Sequence, residues 1–97
     1  KFGCRTEDAR GLAEAVARVP QLKLAGLMTM APFSDDPEQA RPHFRRLRQL
    51  RDEVASAVGL RPSALGLSMG MSQDFEVAIE EGADYIRVGT AIFGQRT

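Results

Sequence analysis

Two apolar runs of strand length, Leu22 to Met30 and Ser63 to Met69, bracket a long amphipathic helical pattern, and this alternation constrains the fold most. Neither run alternates apolar with polar residues, which is the character of strands covered on both faces in a parallel sheet. Between them Phe44, Leu47, Leu50, Val54 and Val58 recur at helical spacing, and the opposite face carries Arg41, Arg45, Arg48, Arg51, Asp52 and Glu53. That predicts a helix ending at Gly59. Asp36 followed by Pro37 marks its cap, and Pro42 inside the pattern predicts a kink or a helix restarting at that proline. Upstream, Thr6 is the expected cap of a first helix, with Glu7 and Asp8 in its first turn, a modest apolar stripe of Leu12, Val16 and the alanines between them running through Arg18, and Pro20 as its stop. Downstream, Ser72 is the expected cap of a short helix whose apolar face is Phe75, Ala78 and Ile79 and which stops at Gly82; Asp84 to Val88 then reads as a third strand.

The resulting order is helix, strand, helix, strand, helix, strand, which implies right-handed parallel crossover units of the α/β class. Three parallel strands leave their edges exposed and their faces partly uncovered, so the pattern fits part of a β/α barrel better than an independent fold. A small doubly wound sheet is the alternative architecture. Residues 1–97 read as a single partial domain, and the opening "KFGCRTEDAR" reads as a segment of something longer.

Composition narrows the function classes. Thirteen basic residues balance 13 acidic ones, so no overall field draws the chain to nucleic acid or anionic lipid. The stretch "RPHFRRLRQLR" concentrates arginine, but its one aromatic, Phe44, belongs to the apolar stripe and Asp52 and Glu53 follow at once. It reads as a solvated helix face rather than a nucleic-acid surface. No apolar run approaches the ~20 residues of a membrane helix, and no signal-peptide pattern opens the chain. The single cysteine, Cys4, excludes an internal disulfide and fits a reducing compartment, so a cytoplasmic location is expected. His43, the one histidine, is distant in sequence and reads as an exposed helix residue.

The chemistry-bearing residues gather where the second and third strands end: "LSMGMS" (Leu67 to Ser72) and "RVGT" (Arg87 to Thr90). In parallel β/α folds ligands collect at the carboxyl ends of strands, and in β/α barrels the loops after the last two strands often build a phosphate site. Gly70 and Gly89 permit close backbone approach, and Ser68, Ser72 and Thr90 supply hydroxyl donors. Each has a plainer reading: Ser72 as a helix cap, Gly89 and Gly94 as turn glycines, Gly70 and its flanking methionines as packing. Arg87, inside an apolar strand, is hardest to explain by packing, because a buried guanidinium needs a partner.

These motifs, with "GLMTM" and "HFRRLRQLRDEV", resemble the pyridoxal phosphate homeostasis proteins, single-domain TIM-type (β/α)8 barrels of the alanine racemase amino-terminal type, across nearly the whole chain. The resemblance implies a pyridoxal 5'-phosphate site. In it Ser68 hydrogen-bonds the phosphate, Gly89 and Thr90 complete the phosphate cup, and Arg87 faces the pyridine nitrogen, with Met69, Gly70, Met71 and Ser72 in the same motif. A guanidinium can only donate, so it leaves that nitrogen unprotonated and weakens the ring as an electron sink. The implied role is therefore intracellular cofactor homeostasis without catalytic turnover; a fragment of an alanine racemase of the same fold is the alternative. Tyr85, two residues before Arg87 on the same side of the strand, does not match the context of the racemase base and reads as packing.

The family's Schiff-base lysine, expected in a "VSK"-like context on an early strand, has no counterpart in Lys1 or Lys23. The chain thus reads as the carboxyl-terminal portion, roughly strands six to eight. The expected partner is a small-molecule cofactor, with no nucleic acid, no membrane and no metal, and a monomer for the complete protein. These 97 residues in isolation are expected to bind pyridoxal phosphate weakly or not at all. A dialysis-stable absorbance band from covalently held cofactor on the isolated chain would overturn that expectation.

Overall fold

The computed structural model describes residues 3–87. Helix α1 (Thr6–Ala17), strand β1 (Gly26–Met28), helix α2 (Arg41–Val58), strand β2 (Gly66–Ser68) and helix α3 (Phe75–Glu80) follow in order, with 3-10 turns at Pro37–Ala40 and Pro62–Ala64. The two strands are parallel, pairing Gly26 with Gly66, Leu27 with Leu67 and Met28 with Ser68. Of the expected third strand, the described part forms a single parallel bridge between Tyr85 and Ser68, on the other edge of β2. Tyr85 N–H donates to the Leu67 carbonyl at 3.1 Å and Met69 N–H to the Tyr85 carbonyl at 3.0 Å. Val88 lies outside the described residues.

Both strands are shorter than the apolar runs that announced them. Leu22 N–H turns back to the Val19 carbonyl at 3.0 Å, and Ala64 N–H to the Arg61 carbonyl at 2.9 Å, so the runs begin as turns. Apolar character marks burial, but a strand exists only where a neighbouring backbone can take its N–H and C=O groups.

The helices keep most of their expected bounds and change their details. Arg5, not Thr6, is the N-cap of α1; it gives no side-chain cap, and its Nε instead donates to Asp8 at 3.3 Å. The buried face of α1 is Ala9 and Ala13, while Leu12 is exposed. Small side chains let this helix approach its neighbours closely. Asp36 caps as expected, accepting from Glu38 N–H at 3.0 Å, but what it starts is the 3-10 turn Pro37–Ala40. The α-helix restarts at Arg41 with Pro42 in its first turn, where a missing N–H costs nothing. Gly59 ends α2 in the left-handed conformation, φ 75°. In α3 the buried residues are Val77 and Ala78, and Ile79 is exposed. The N-cap of α3 is Asp74 rather than Ser72.

One core holds these elements together. Phe44, Leu47, Leu50, Val54 and Ala55 of α2 meet Leu65, Leu67 and Met69 of the β2 segment, Ala9 and Ala13 of α1, and Val77 and Ala78 of α3. All the helices that contribute to it lie on one side of the sheet. Gly70 shows how tight the junction with α3 is: its φ is +104°, and a Cβ there would stand 2.6 Å from the Ala78 Cβ.

Beside the core lies a buried carboxylate. The Glu81 side chain is 5% exposed; Arg41 donates to it at 2.7 Å and Arg45 at 3.2 Å, and Arg48 lies 3.3 Å away. Arg41 also bonds Glu38 and Glu80, while Arg46 pairs with Glu53 and Arg51 with Asp52. The five arginines of the "RPHFRRLRQLR" stretch thus meet five carboxylates, Glu38, Asp52, Glu53, Glu80 and Glu81, and the stripe is neutralised in place. Hydrogen bonding by Arg41, then Arg45, holds the Glu81 carboxyl below the usual carboxylate range against the opposing effect of burial.

Two outcomes follow. Gly70→Ala must lose more stability than Gly59→Ala, whose Cβ would meet nothing within 4 Å. The expected losses in denaturant unfolding are about 3 and about 1 kcal/mol, from the added clash at Gly70. Glu81→Gln, which takes the shared carboxylate from Arg41, Arg45 and Arg48 and leaves Arg41 only Glu38 and Glu80, should cost about 2 kcal/mol at neutral pH. Because the folded carboxyl titrates below its unfolded value of about 4.3, that stabilisation is complete above this pH and is lost as pH falls through the lower folded value. Unfolding followed between pH 2 and 7 should therefore show a shallower acid dependence in the variant than in the parent.

Candidate functional site

The alternation of the pleat divides the sheet into two faces. Leu65, Leu67 and Met69 are 1%, 0% and 2% exposed and turn toward the helices, which sends Gly66 and Ser68 to the other side. Leu27 and Ile86 likewise pack against the core, so Gly26, Met28, Tyr85 and Arg87 share that second face. No described helix covers it. Met28 is 53% exposed, Tyr85 is 66% exposed and Arg87 is exposed.

On this open face the floor is glycine. Gly26 and Gly66 stand opposite each other, and a Cβ on Gly26 would overlap the Gly66 carbonyl. A Cβ on Gly66 would come 3.0 Å from Cε2 of Tyr85, so the edge of the tyrosine ring meets that glycine. Ser68 is half-buried and is the bridge partner of Tyr85. Arg87, two residues further along, is anchored by its own N–H, which donates to the Gly70 carbonyl at 2.9 Å. The structure therefore brings Ser68 and Arg87 to one face, at the carboxyl ends of adjacent parallel segments. Gly89 and Thr90 lie outside the described residues.

The other residues of the motif are placed differently. Met69 turns into the core, and its N–H is taken by the Tyr85 carbonyl. Gly70 is the residue that lets the chain pass over Ala78. Met71 N–H donates to Oδ1 of Asp74 at 2.7 Å, and Asp74 is 5% exposed. Ser72 sits in the turn before α3 and is half-buried. Asp74 thus holds the loop shut with its carboxylate, and, although it is the N-cap residue of α3, its side chain makes no cap bond to that helix. Asp84 was also missed: its Oδ2 accepts Leu67 N–H at 2.8 Å while its own N–H donates to the Leu67 carbonyl at 2.8 Å, fixing the register of the third segment. An aspartate as the first residue of a predicted strand is the signal that could have shown it.

Of groups for other chemistry there is little. Among the described residues no cluster of three or more His, Cys, Asp and Glu could hold a metal, and Cys4 is exposed. Lys23, the one lysine among the described residues, is exposed and precedes β1 rather than lying on it. No described helix is long and apolar enough to cross a membrane. The open face carries a hydroxyl, Ser68, and a guanidinium, Arg87, at its carboxyl end.

Comparison with known proteins gives the family and the fold. The family model "Alanine racemase, N-terminal domain" matches residues 1–97. The pyridoxal phosphate homeostasis protein of Aquifex aeolicus (strain VF5) is 48% identical over 96 residues, 99% of this chain and 41% of that protein. The human protein of that name is 37% identical over 98 residues, covering 99% of this chain and 36% of its own length. PipY of Synechococcus elongatus PCC7942, solved with pyridoxal phosphate bound, superposes with a TM-score of 0.81 at 32% identity, over 97% of this chain and 44% of that one. A Bifidobacterium adolescentis protein described as unknown gives a TM-score of 0.83 at 37% identity, over 96% of this chain and 37% of that one. The chain therefore spans about two fifths of the length of these relatives, and its parallel segments and helices are part of a TIM-type β/α barrel. By sequence and by fold, this chain belongs to the alanine racemase N-terminal domain family.

Proposed function

We propose that this chain supplies part of a pyridoxal 5'-phosphate site and that the protein carrying it serves cofactor homeostasis rather than turnover. The observation that carries this reading is the parallel bridge between Ser68 and Tyr85, which puts Ser68 and Arg87 on one uncovered face. The names of the relatives and the cofactor in PipY support the same ligand.

In this reading the Ser68 hydroxyl donates to the phosphate, and the N–H groups and hydroxyl of Gly89 and Thr90 close around it. Met69 and Ser72 complete the turn that carries Ser68, the first by anchoring it in the core. Arg87 directs its guanidinium to the pyridine nitrogen. A guanidinium stays protonated and offers only donors, so it holds that nitrogen in its neutral, accepting form. When bound, the cofactor would supply a masked aldehyde and a ring of reduced electron-withdrawing power, suited to carriage more than to carbanion chemistry. The described residues give no lysine on a strand for a covalent link, so what they provide is recognition of phosphate and ring.

The test is equilibrium dialysis of pyridoxal phosphate against the protein expressed from its entire gene. Ser68→Ala and Arg87→Ala should each weaken binding about tenfold, the worth of one charge-assisted hydrogen bond. Unchanged affinity in both variants would reject the site. In the same preparations, conversion of L-alanine to D-alanine would reject the non-catalytic role and favour a racemase.

A further inference from the structure

Asp74 opens α3 without capping it. An aspartate at that position ordinarily gives its carboxylate to the N–H groups of the helix it starts, yet this one makes no such bond. It is 5% exposed, and its Oδ1 instead takes Met71 N–H at 2.7 Å. That N–H belongs to the same peptide group as the Gly70 carbonyl, and the Gly70 carbonyl accepts Arg87 N–H at 2.9 Å. One peptide plane is therefore gripped at both ends, by a buried carboxylate on one side and by the backbone of Arg87 on the other. Gly70, at φ +104°, is the residue whose freedom would otherwise let that plane turn.

The bond to Gly70 is not an ordinary rung. Tyr85 N–H bonds the Leu67 carbonyl and Met69 N–H the Tyr85 carbonyl, so the next rung of a regular parallel ladder would send Arg87 N–H to the Met69 carbonyl. It passes one residue further, as at a bulge, and bulges re-aim side chains. Arg87 thus takes its place from a loop peptide rather than from strand pairing. Ser68 differs: Thr29 N–H bonds its carbonyl at 3.0 Å, and Leu67 and Met69 on either side are bonded to the third segment. We propose that Asp74 is a positioning residue for Arg87: it fixes the Gly70–Met71 peptide, and that peptide fixes where the guanidinium stands against the ring of the bound ligand. This inference rests on the pyridoxal phosphate reading and deepens it. Asp74 touches no ligand itself. It governs the ring contact and leaves the phosphate contact of Ser68 alone.

The experiment uses the protein expressed from its entire gene and measures two constants: the affinity for pyridoxal phosphate and the inhibition of that binding by inorganic phosphate. Asp74→Ala should weaken pyridoxal phosphate binding about three- to tenfold and leave the phosphate constant unchanged. Asp74→Asn, which keeps an oxygen acceptor for Met71 N–H, should recover affinity to within about twofold of the parent. In an Arg87→Ala background, adding Asp74→Ala should cost less than about twofold, because the group it positions is already gone. A carboxylate that merely stabilised the loop would add its cost to that of Arg87→Ala. Amide exchange in the unliganded parent needs no variant: Met71 and Arg87 should show protection within about tenfold of each other, since turning one peptide breaks both bonds.

The inference is overturned if Asp74→Ala binds pyridoxal phosphate like the parent, if it weakens phosphate equally, if Asp74→Asn falls as far as Asp74→Ala, or if the costs of Asp74→Ala and Arg87→Ala add. Should Asp74→Ala fail to fold, the amide exchange decides alone, and unequal protection of Met71 and Arg87 overturns the inference. An effect of Ser68→Ala and Arg87→Ala without one of Asp74→Ala sinks the positioning role and spares the site. No response in any of the three sinks the site as well.

Discussion

Leu67 and Ser68 are hydrogen-bonded along both edges of β2, and the geometry of everything else follows from that. On one edge the ladder joins β1, with Thr29 N–H on the Ser68 carbonyl at 3.0 Å. On the other, the Leu67 carbonyl takes the N–H groups of Asp84 and Tyr85 at 2.8 and 3.1 Å, while the Asp84 carboxylate takes Leu67 N–H. Since the pleat alternates, fixing this register fixes which side chains face the helices and which face away. A slip of one residue would carry Ser68 and Arg87 into the core and expel Leu67. The register is thus structural and functional at once.

The same economy appears within the Ser-Met-Gly-Met-Ser motif. Its residues do different jobs: Ser68 faces the open side, Met69 is a core side chain, Gly70 permits the pass over Ala78, and the Met71 N–H is held by Asp74. Burial of Met69 anchors the turn, and the Asp74 bond keeps its shape without help from a ligand. A binding loop fixed in advance loses little entropy on binding, which is how packing in the core contributes to affinity at the surface. The Glu81 clamp acts further back, tying the end of α3 to α2, so that the segment leading into Asp84 starts from a fixed point.

Much of this was legible in residue patterns because the patterns have local causes. The apolar spacing of α2 reported its buried face through Phe44, Leu47, Leu50 and Val54, since a helix imposes its period on whatever it packs against. Gly59 and Asp36–Pro37 marked a stop and a start through backbone chemistry that needs no distant partner. Where a distant partner decides, the patterns misled. Leu12 looked as buried as Ala13, and Ile79 more than Val77, but the space between helices admitted the smaller side chains. The arginines of α2 looked solvated, yet three of them converge on Glu81, some 30 to 40 residues later in the chain.

The sequence by itself determined the order of helices and strands, the parallel α/β class, and the family through the Ser-Met-Gly-Met-Ser and Arg-Val-Gly-Thr motifs. Local backbone preference and side-chain period suffice for these, because each is settled within a few residues. Only the tertiary structure decided that Ser68 and Arg87 share a face, that Met69 does not, and that the edge of the tyrosine ring meets Gly66. Those facts depend on the register between segments far apart in the chain, and register is set by pairing and packing across space rather than by any one stretch of residues.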